Sequence, residues 1–210
     1  MKAAIASLVI SLLFFACSSR LEKNENHELA LLEIKFEELW GKNSPASDSV
    51  KYALARMHGR NARILYSRAW KLASEKQLSR ALKTADSLVM GYPAFDKGIY
   101  LRANLRLENH DSTGSLEDFE RCLKKNPRFF ECRMNRGSLF FSRNLPDLAY
   151  QDFREALRIN PGSPEAKLNM GNAQYALGRP DSACFFWKNA AASGLKMGDE
   201  MAAKFCNPQP

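Results

Sequence analysis

The stretch that decides the fold is FECRMNRGSLFFSRNLPDLAYQDFREALRINPGS, residues 130–163. In its second half, Ala149, Phe153 and Ala156 fall at i, i+4 and i+7, which is the buried stripe of an amphipathic helix. Pro161 ends this helix, because proline cannot continue a helical hydrogen-bond pattern. The stretch therefore predicts a unit whose second half is a helix packed through one apolar face.

The unit recurs along the chain at a constant step, which Pro93, Pro127 and Pro161 mark. Two series of small residues keep the same step: Ala69, Ala103, Gly137 and Gly171, and then Ala81, Ser115, Ala149 and Ala183. Small side chains at these two places let two helices approach closely. We predict four such helix pairs, which span residues 62–95, 96–129, 130–163 and 164–197.

This pattern resembles the tetratricopeptide repeat, a helix–turn–helix unit of about 34 residues. An aromatic residue of that repeat is matched by Phe119, Phe153 and Trp187. The resemblance implies an all-α fold, a right-handed α-solenoid of antiparallel helix pairs.

The sequence departs from the repeat at two kinds of position. Arginine stands where leucine is usual, at Arg68, Arg102 and Arg136, and Leu195 stands where proline is expected. Asp118 and Asp152 could pair with these arginines, and a solvated arginine face is an equal alternative. The missing proline predicts that the second helix of the last unit ends differently from the others.

Repeat arrays expose apolar faces at both ends and need caps. At the N-terminus we predict a capping hairpin over residues 27–61, with helices Glu28–Trp40 and Asp48–Met57 joined by Gly41–Ala46. At the C-terminus we predict a cap and tail over residues 198–210, with a helix over Asp199–Cys206.

The first sixteen residues are predicted to be a signal peptide. Lys2 precedes the apolar stretch Ala3–Ala16, which suits a signal-peptide core and is too short to cross about 30 Å of hydrocarbon. The approach to Cys17 resembles a bacterial lipoprotein signal, which implies cleavage before Cys17, lipidation of its thiol and a place on the periplasmic face of the outer membrane. A free structural cysteine after a plain signal is the alternative. Residues 17–26 are polar and predicted to form a flexible, lipidated tether.

The remaining cysteines, Cys122, Cys132, Cys184 and Cys206, are even in number in a chain predicted to be exported. In an antiparallel helical stack, the end of one helix lies beside the start of the next. We therefore predict the bridges Cys122–Cys132 and Cys184–Cys206. Four buried thiols are an equally weighted alternative, because cysteine is a common small core residue.

Other chemistry finds little support in the sequence. Lys and Arg total 31 against 23 Asp and Glu, but the 31 cations are scattered, so we expect no nucleic-acid partner. His27, His58 and His110 lack ligand spacing, and no Cys-x-x-Cys or Gly-rich phosphate loop occurs, so we expect no metal site and no cofactor. No motif combines a nucleophile, a base and an oxyanion site, so we expect neither an enzyme nor a small-molecule substrate.

In the tetratricopeptide fold the first helices of the pairs line a concave groove. The resemblance assigns these residues to it: Arg63, Tyr66, Trp70, Lys97, Tyr100, Asn104, Leu107, Met134, Asn135, Ser138, Phe141, Leu168, Asn169, Asn172 and Tyr175. Aromatic rings supply contact area and asparagine amides can hydrogen-bond an extended backbone, so the groove suits a peptide or a partner's segment. The alternative is that neighbouring helices bury several of the aromatics.

One tetratricopeptide subfamily, which clamps the C-terminal carboxylates of chaperones with a lysine, is excluded. The lysine position holds Tyr66, Tyr100, Met134 or Leu168. We therefore predict a non-enzymatic scaffold or adaptor in envelope assembly or secretion. The alternative is a structural envelope component that holds anionic cell-wall material through its basic surface.

Overall fold

The computed structural model describes residue 31 and residues 45–206, with the side chains of residue 31 and residues 59–206. The predicted signal peptide, the lipid site at Cys17, the tether and, apart from Leu31, the helix Glu28–Trp40 lie outside the described residues. The chain divides into two compact units, residues 1–64 and residues 65–210.

The described residues form nine α-helices and no strand. The helices are α1 Pro45–Ser74, α2 Leu78–Gly91, α3 Asp96–Glu108, α4 Ser112–Lys125, α5 Phe130–Ser142, α6 Pro146–Ile159, α7 Pro164–Ala176, α8 Pro180–Ala192 and α9 Lys196–Phe205. The predicted fold class, an all-α solenoid of helix pairs, is confirmed.

Helix α1 corrects the predicted N-terminal boundary. The sequence analysis separated the helix Asp48–Met57 from a first repeat beginning at residue 62, but α1 runs unbroken through Pro45–Ser74. Between the two predicted segments stands only Gly59 as a weak helix former, and one glycine costs a helix about 1 kcal/mol without breaking it.

The helix pairs begin at a regular step, since α3, α5 and α7 start at Asp96, Phe130 and Pro164. Local sequence sets several of these starts. The Oγ of Ser163 accepts a hydrogen bond from the Ala166 amide at 3.1 Å, which caps the first turn of α7. Proline also occupies the first turn of α6, α7 and α8, where its missing N–H would have had no helical partner.

Two kinds of turn connect the helices, and they alternate. Within a pair, the turn places one residue in the left-handed region, at Lys76, His110, Asn144 and Gly178, with φ between 57° and 72°. Between pairs, the helix ends at Tyr92, Asn126 or Asn160 with φ near −130°, and the repeating proline follows. Each of the first three repeats therefore contains one turn of each kind.

The connection from α8 to α9 breaks this alternation. It places Gly194 at φ 88°, and the Leu195 amide donates to the Ala190 carbonyl at 3.1 Å, as the Leu145 amide donates to Phe140 at 3.0 Å within a pair. The within-pair turn thus replaces the proline turn, which accounts for Leu195. Helix α9 also begins at Lys196, ahead of the predicted start at Asp199.

Small residues hold the paired helices close together, as the sequence predicts. A Cβ added to Gly137 would lie 2.7 Å from Phe153 Cε1, and one added to Gly171 would lie 2.5 Å from Trp187 Cδ1. Phe153 and Trp187 are themselves fully buried. Each aromatic ring of a second helix therefore rests directly on the backbone of the first helix of its pair.

Arginine and aspartate link the two helices of the middle pairs. Arg102 donates to both carboxylate oxygens of Asp118 at 2.8 and 2.6 Å. Arg136 makes the same contact with Asp152 in the following pair. Of the two alternatives left open by the sequence, the structure has ion pairs rather than a solvated arginine face.

Candidate protein-binding groove

The predicted groove residues lie on the first helices of the pairs, and most of them keep solvent access. Trp70, Phe141 and Tyr175 are 53%, 37% and 44% exposed. Exposed polar residues on the same set are Arg63, Lys97 and Ser138. The half-buried members are Tyr66, Tyr100, Asn104, Leu107, Asn135, Leu168, Asn169 and Asn172.

Two of the predicted residues, Met134 and Arg63, differ from the rest of the groove set. Met134 is buried in a core cluster with Ala149, Phe153 and Met170, so its assignment to the groove surface is wrong. A flexible apolar side chain at this point fills the space between helices. Arg63 lies in the compact unit of residues 1–64, whereas the other groove residues lie in the unit of residues 65–210.

Asn135 is the centre of a hydrogen-bond network that joins two neighbouring first helices. Its Nδ2 donates to the Tyr100 hydroxyl oxygen at 3.1 Å and to Asn104 Oδ1 at 2.7 Å. The network links α3 to α5 through three side chains. The sequence analysis predicts each of them as a groove residue but does not predict their contact.

The network determines which hydrogen-bonding groups stay uncommitted within it. Burial raises the pKa of Tyr100 above its ordinary value, so its hydroxyl keeps its proton at neutral pH. Since the Tyr100 oxygen accepts from the Asn135 amide, the hydroxyl hydrogen is not used in that bond. Both hydrogens of the Asn135 amide are committed, which leaves its Oδ1 as an acceptor. The network therefore leaves one donor on Tyr100 and one acceptor on Asn135.

The groove continues across α7 with further amides. Asn172 Oδ1 accepts from the buried Trp187 Nε1 at 2.9 Å, which leaves the Asn172 amide hydrogens for another partner. Beside it, the Tyr175 ring packs against Trp187 and, at a centroid distance of 4.9 Å, against Phe205 of α9. The C-terminal helix therefore contacts the last exposed aromatic residue of the groove.

The aromatic residues divide into packed and accessible members. The Tyr100 ring lies 5.1 Å from Phe129, and the Tyr66 ring lies 5.8 Å from Phe95. Both tyrosines are half-buried by these contacts. The alternative, in which neighbouring helices bury the aromatic residues, therefore holds in part for Tyr66 and Tyr100 and less for Phe141.

The cysteines have two different states. Cys184 and Cys206 form a disulfide with a Cα–Cα distance of 5.5 Å, which joins the start of α8 to the end of α9. Cys122 and Cys132 are buried thiols. The Cys132 thiol donates to the Phe119 carbonyl at 3.5 Å, and the neighbouring Cys122 and burial together raise the pKa of Cys132 far above its ordinary value. The predicted second bridge is therefore replaced by two adjacent thiols.

Sequence reasoning missed one further surface. Leu157, Phe185 and Phe186 line a pocket on the second helices α6 and α8. A change in the repeat pattern could have indicated this surface. Phe185 and Phe186 occupy the positions that Gln151 and Asp152 hold one repeat earlier.

Among the described residues, no group of three or more histidine, cysteine or acidic side chains could hold a metal ion. None of the helices in the same part of the chain is both long and apolar enough to cross a bilayer.

Comparison with known proteins bears on the fold. Residues 100–164 match a family model described as a tetratricopeptide repeat. No curated protein sequence matches the chain significantly. The fold is a tetratricopeptide-repeat solenoid. The tetratricopeptide match covers the second and third helix pairs, where the Arg–Asp contacts and the Asn135 network lie.

Several solved structures share this tetratricopeptide fold at low sequence identity. A tetratricopeptide repeat protein from Parabacteroides merdae ATCC 43184 is 21% identical with a TM-score of 0.62, over 84% of this chain and 72% of that one. A crystal structure of MamA is 14% identical with a TM-score of 0.60, over 74% and 98%. The first repeat domain of Spaghetti (RPAP3), bound to the HSP90 peptide SRMEEVD, is 17% identical with a TM-score of 0.54, over 57% and 94%.

Proposed function

We propose that this chain is a scaffold anchored to a membrane by lipid on Cys17, and that it binds an extended segment of a partner protein across α3, α5 and α7. The observation that carries the proposal is the paired donor and acceptor at Tyr100 and Asn135. A peptide unit presents one C=O and one N–H, so this pair is complementary to a backbone of any sequence.

The accessible aromatics supply the rest of the contact. Phe141 and Tyr175 keep solvent access on the same helices as the amides. Rigid aromatic rings offer large contact area and lose little side-chain entropy on binding. In this arrangement the amides hold the ligand backbone, while the rings receive its apolar side chains.

The peptide complex of Spaghetti (RPAP3) supports a peptide as the class of ligand for this fold. The ligand of the present chain differs in chemistry from an acidic C-terminal peptide. The clamp lysine is replaced by tyrosine at Tyr66 and Tyr100, and Glu131 adds a carboxylate where the clamp uses a basic residue. We therefore propose an internal, extended segment without a terminal carboxylate requirement.

The disulfide supports a location in the cell envelope. Cys184–Cys206 is a bond that persists in oxidising compartments and is rare in reducing ones. Together with the lipoprotein-like stretch before Cys17, it supports export followed by anchoring on the periplasmic face of an outer membrane. In that place the scaffold would serve envelope assembly or secretion.

The proposed groove function is tested by cross-linking capture from native envelopes. The full chain is compared with the double variant Tyr100→Phe/Asn135→Ala, which removes the donor and acceptor and retains the Tyr100 ring packing. Gln151→Ala, an exposed change on α6, is the matched control. We expect partners that the wild type and the control retain and the double variant loses.

Two outcomes would count against the proposal. If all three proteins capture the same set and salt removes it, the basic exterior is the working surface and the structural wall-associated alternative holds. The anchor is tested separately with Cys17→Ser, which should release the protein from membranes; retention of this variant on membranes would contradict lipidation at Cys17.

A further inference from the structure

The fourth helix pair departs from the repeat at one surface site. In the third pair, Asp152 of α6 is held by Arg136 at 2.7 Å and by Arg133 at 3.3 Å. One repeat later, these three positions are occupied by Phe186, Met170 and Lys167. A closed ionic cluster has thus been exchanged for apolar side chains and one lysine.

A pocket lies beside two of the exchanged residues, Lys167 and Phe186. The pocket has a volume of about 280 Å³ and is lined by Leu157, Pro161, Lys167, Phe185, Phe186 and Asn189. Phe185 is 62% exposed at its mouth, and its ring stands edge-on to Phe186 at 5.3 Å. Phe185 replaces Gln151 of the preceding repeat, so solvent-facing glutamine has become solvent-facing phenylalanine.

The size of the pocket indicates the kind of occupant. Small-molecule sites have volumes of roughly 300–1,000 Å³, so this pocket lies below their range. It suits a single anchoring side chain of a protein partner, the arrangement in which one buried apolar residue carries most of the affinity.

The charge around the pocket indicates the chemistry of that partner. The stretches that contain its lining residues, residues 154–167 and 185–196, carry five cations, Arg154, Arg158, Lys167, Lys188 and Lys196, of which Lys196 pairs with Glu200 at 3.8 Å. They carry two carboxylates, of which Glu155 pairs with Arg158 at 3.1 Å and Glu165 accepts from Ser163 at 2.9 Å. Lys167 donates to Ser193 at 2.9 Å and still has two N–H groups for a carboxylate.

We propose that the pocket between α6 and α8 is a second protein-docking site, which receives an apolar anchor residue from an acidic amphipathic helix of a partner protein. The anchor enters between Phe185, Phe186 and Leu157. Carboxylates one turn away on the partner helix meet Lys167 and Lys188. The site is separate from the groove on the first helices and does not depend on its ligand.

The test places a photo-cross-linking amino acid at residue 185 of the full chain in native envelopes, and the cross-linked peptides are sequenced. The matched control carries the same amino acid at residue 151, the exposed equivalent one repeat earlier. We expect residue 185, and not residue 151, to cross-link to peptides that are acidic and amphipathic. The charge reversal Lys167→Glu/Lys188→Glu should lower the yield about tenfold.

A second probe position is needed because the cross-linking amino acid at residue 185 replaces Phe185 itself. The photo-cross-linking amino acid is placed at residue 189, and Phe185→Gln restores the residue of the preceding repeat. We expect about a tenfold loss of cross-linking, with the same thermal midpoint as the wild type because residue 185 is exposed. The Tyr100→Phe/Asn135→Ala variant should leave this cross-linking unchanged, which separates the pocket from the groove.

Three results would overturn the proposal. Cross-links from residue 185 to lipid would identify a membrane-facing surface, and cross-links to a second copy of this chain would identify a self-association site. Cross-links of equal yield from residues 151 and 185 would show that the pocket has no specific partner.

Discussion

Arg136 holds Asp152 through two hydrogen bonds of 2.7 Å, one from Nε to Oδ2 and one from Nη2 to Oδ1. The Asp152 side chain is only 3% exposed, so the carboxylate depends on its arginine partners, Arg136 and, at 3.3 Å, Arg133, for its charge to be tolerated. Removing Asp152 leaves two partly buried arginines without their carboxylate.

The first prediction concerns this pair. Asp152→Ala should lower the free energy of unfolding by about 3 kcal/mol, because it leaves Arg136 without its carboxylate. The triple variant Arg133→Lys/Arg136→Met/Asp152→Phe copies the residues Lys167, Met170 and Phe186 of the last pair. It should recover to within about 1 kcal/mol of the wild type. Urea unfolding measures both, and a triple variant no more stable than Asp152→Ala would contradict the account.

The second prediction concerns the close approach of helices. Gly171→Ala should destabilise the fold by about 1–3 kcal/mol, since its Cβ would lie 2.5 Å from the buried Trp187 ring. Gly59→Ala is the control, because no atom lies within 4 Å of a Cβ there and alanine is the better helix former. Thermal unfolding should therefore shift in opposite directions for the two variants. A neutral Gly171→Ala would mean that the helices are not closely packed at this point.

The third prediction concerns the left-handed turn at Lys76. With φ at 58°, this residue adopts a conformation that costs a non-glycine side chain about 1 kcal/mol. Lys76→Gly should raise the unfolding free energy by about 0.5–1 kcal/mol, whereas Asn144→Gly should gain less, because asparagine tolerates this region. The same change at Lys83 inside α2 should destabilise by about 1 kcal/mol. Equal changes in the unfolding free energy at residues 76 and 83 would show that the effect at residue 76 does not come from its backbone conformation.

The fourth prediction concerns the disulfide. Cys184→Ser/Cys206→Ser should lose about 3 kcal/mol of stability, as expected for a bridge across a sequence separation of 22 residues. A thiol reductant should bring the wild type down to the level of the variant and leave the variant unchanged. A variant that still responds to the reductant would place the sensitive bond elsewhere.

The fifth prediction concerns the two buried thiols. Cys122 and Cys132 should resist alkylation in the native protein at pH 8, since both are inaccessible and the pKa of Cys132 is raised. In denaturant under the same conditions both should react, as read by peptide mass mapping. Rapid native alkylation of Cys132 would contradict its burial and its hydrogen bond to the Phe119 carbonyl. Absence of alkylation after unfolding would instead indicate the Cys122–Cys132 bridge.

The fold could be predicted because its determinants repeat. The evenly spaced prolines and the small residues beneath Phe153 and Trp187 act locally, and each recurs often enough to be recognised. The structure adds that Gly137 and Gly171 meet aromatic rings directly, which the sequence indicates only as a need for small side chains.

The parts that sequence reasoning missed depend on contacts rather than on periodicity. The Asn135 network requires knowing that Tyr100 and Asn104 lie opposite Asn135, 35 and 31 residues away in the chain. Met134 occupies a groove position of the repeat pattern and still turns inward, because the register alone does not say how far a side chain is covered. The predicted start of α9 lies too late in the chain, because the turn at Gly194, and not a helix-start signal in the sequence, determines where the helix begins.

The turn at Gly194 limits how the array can grow. In every earlier unit the second helix ends in a proline turn that leads to a new first helix, so duplication of one repeat adds a complete unit. The within-pair turn at residues 193–195 instead sends α9 back along α8, where Gly198 packs on the Trp187 and Ala191 backbone and Cys206 is bonded to Cys184. A further copy inserted after residue 192 would meet a covalently fastened helix, so lengthening by duplication must occur upstream of α8.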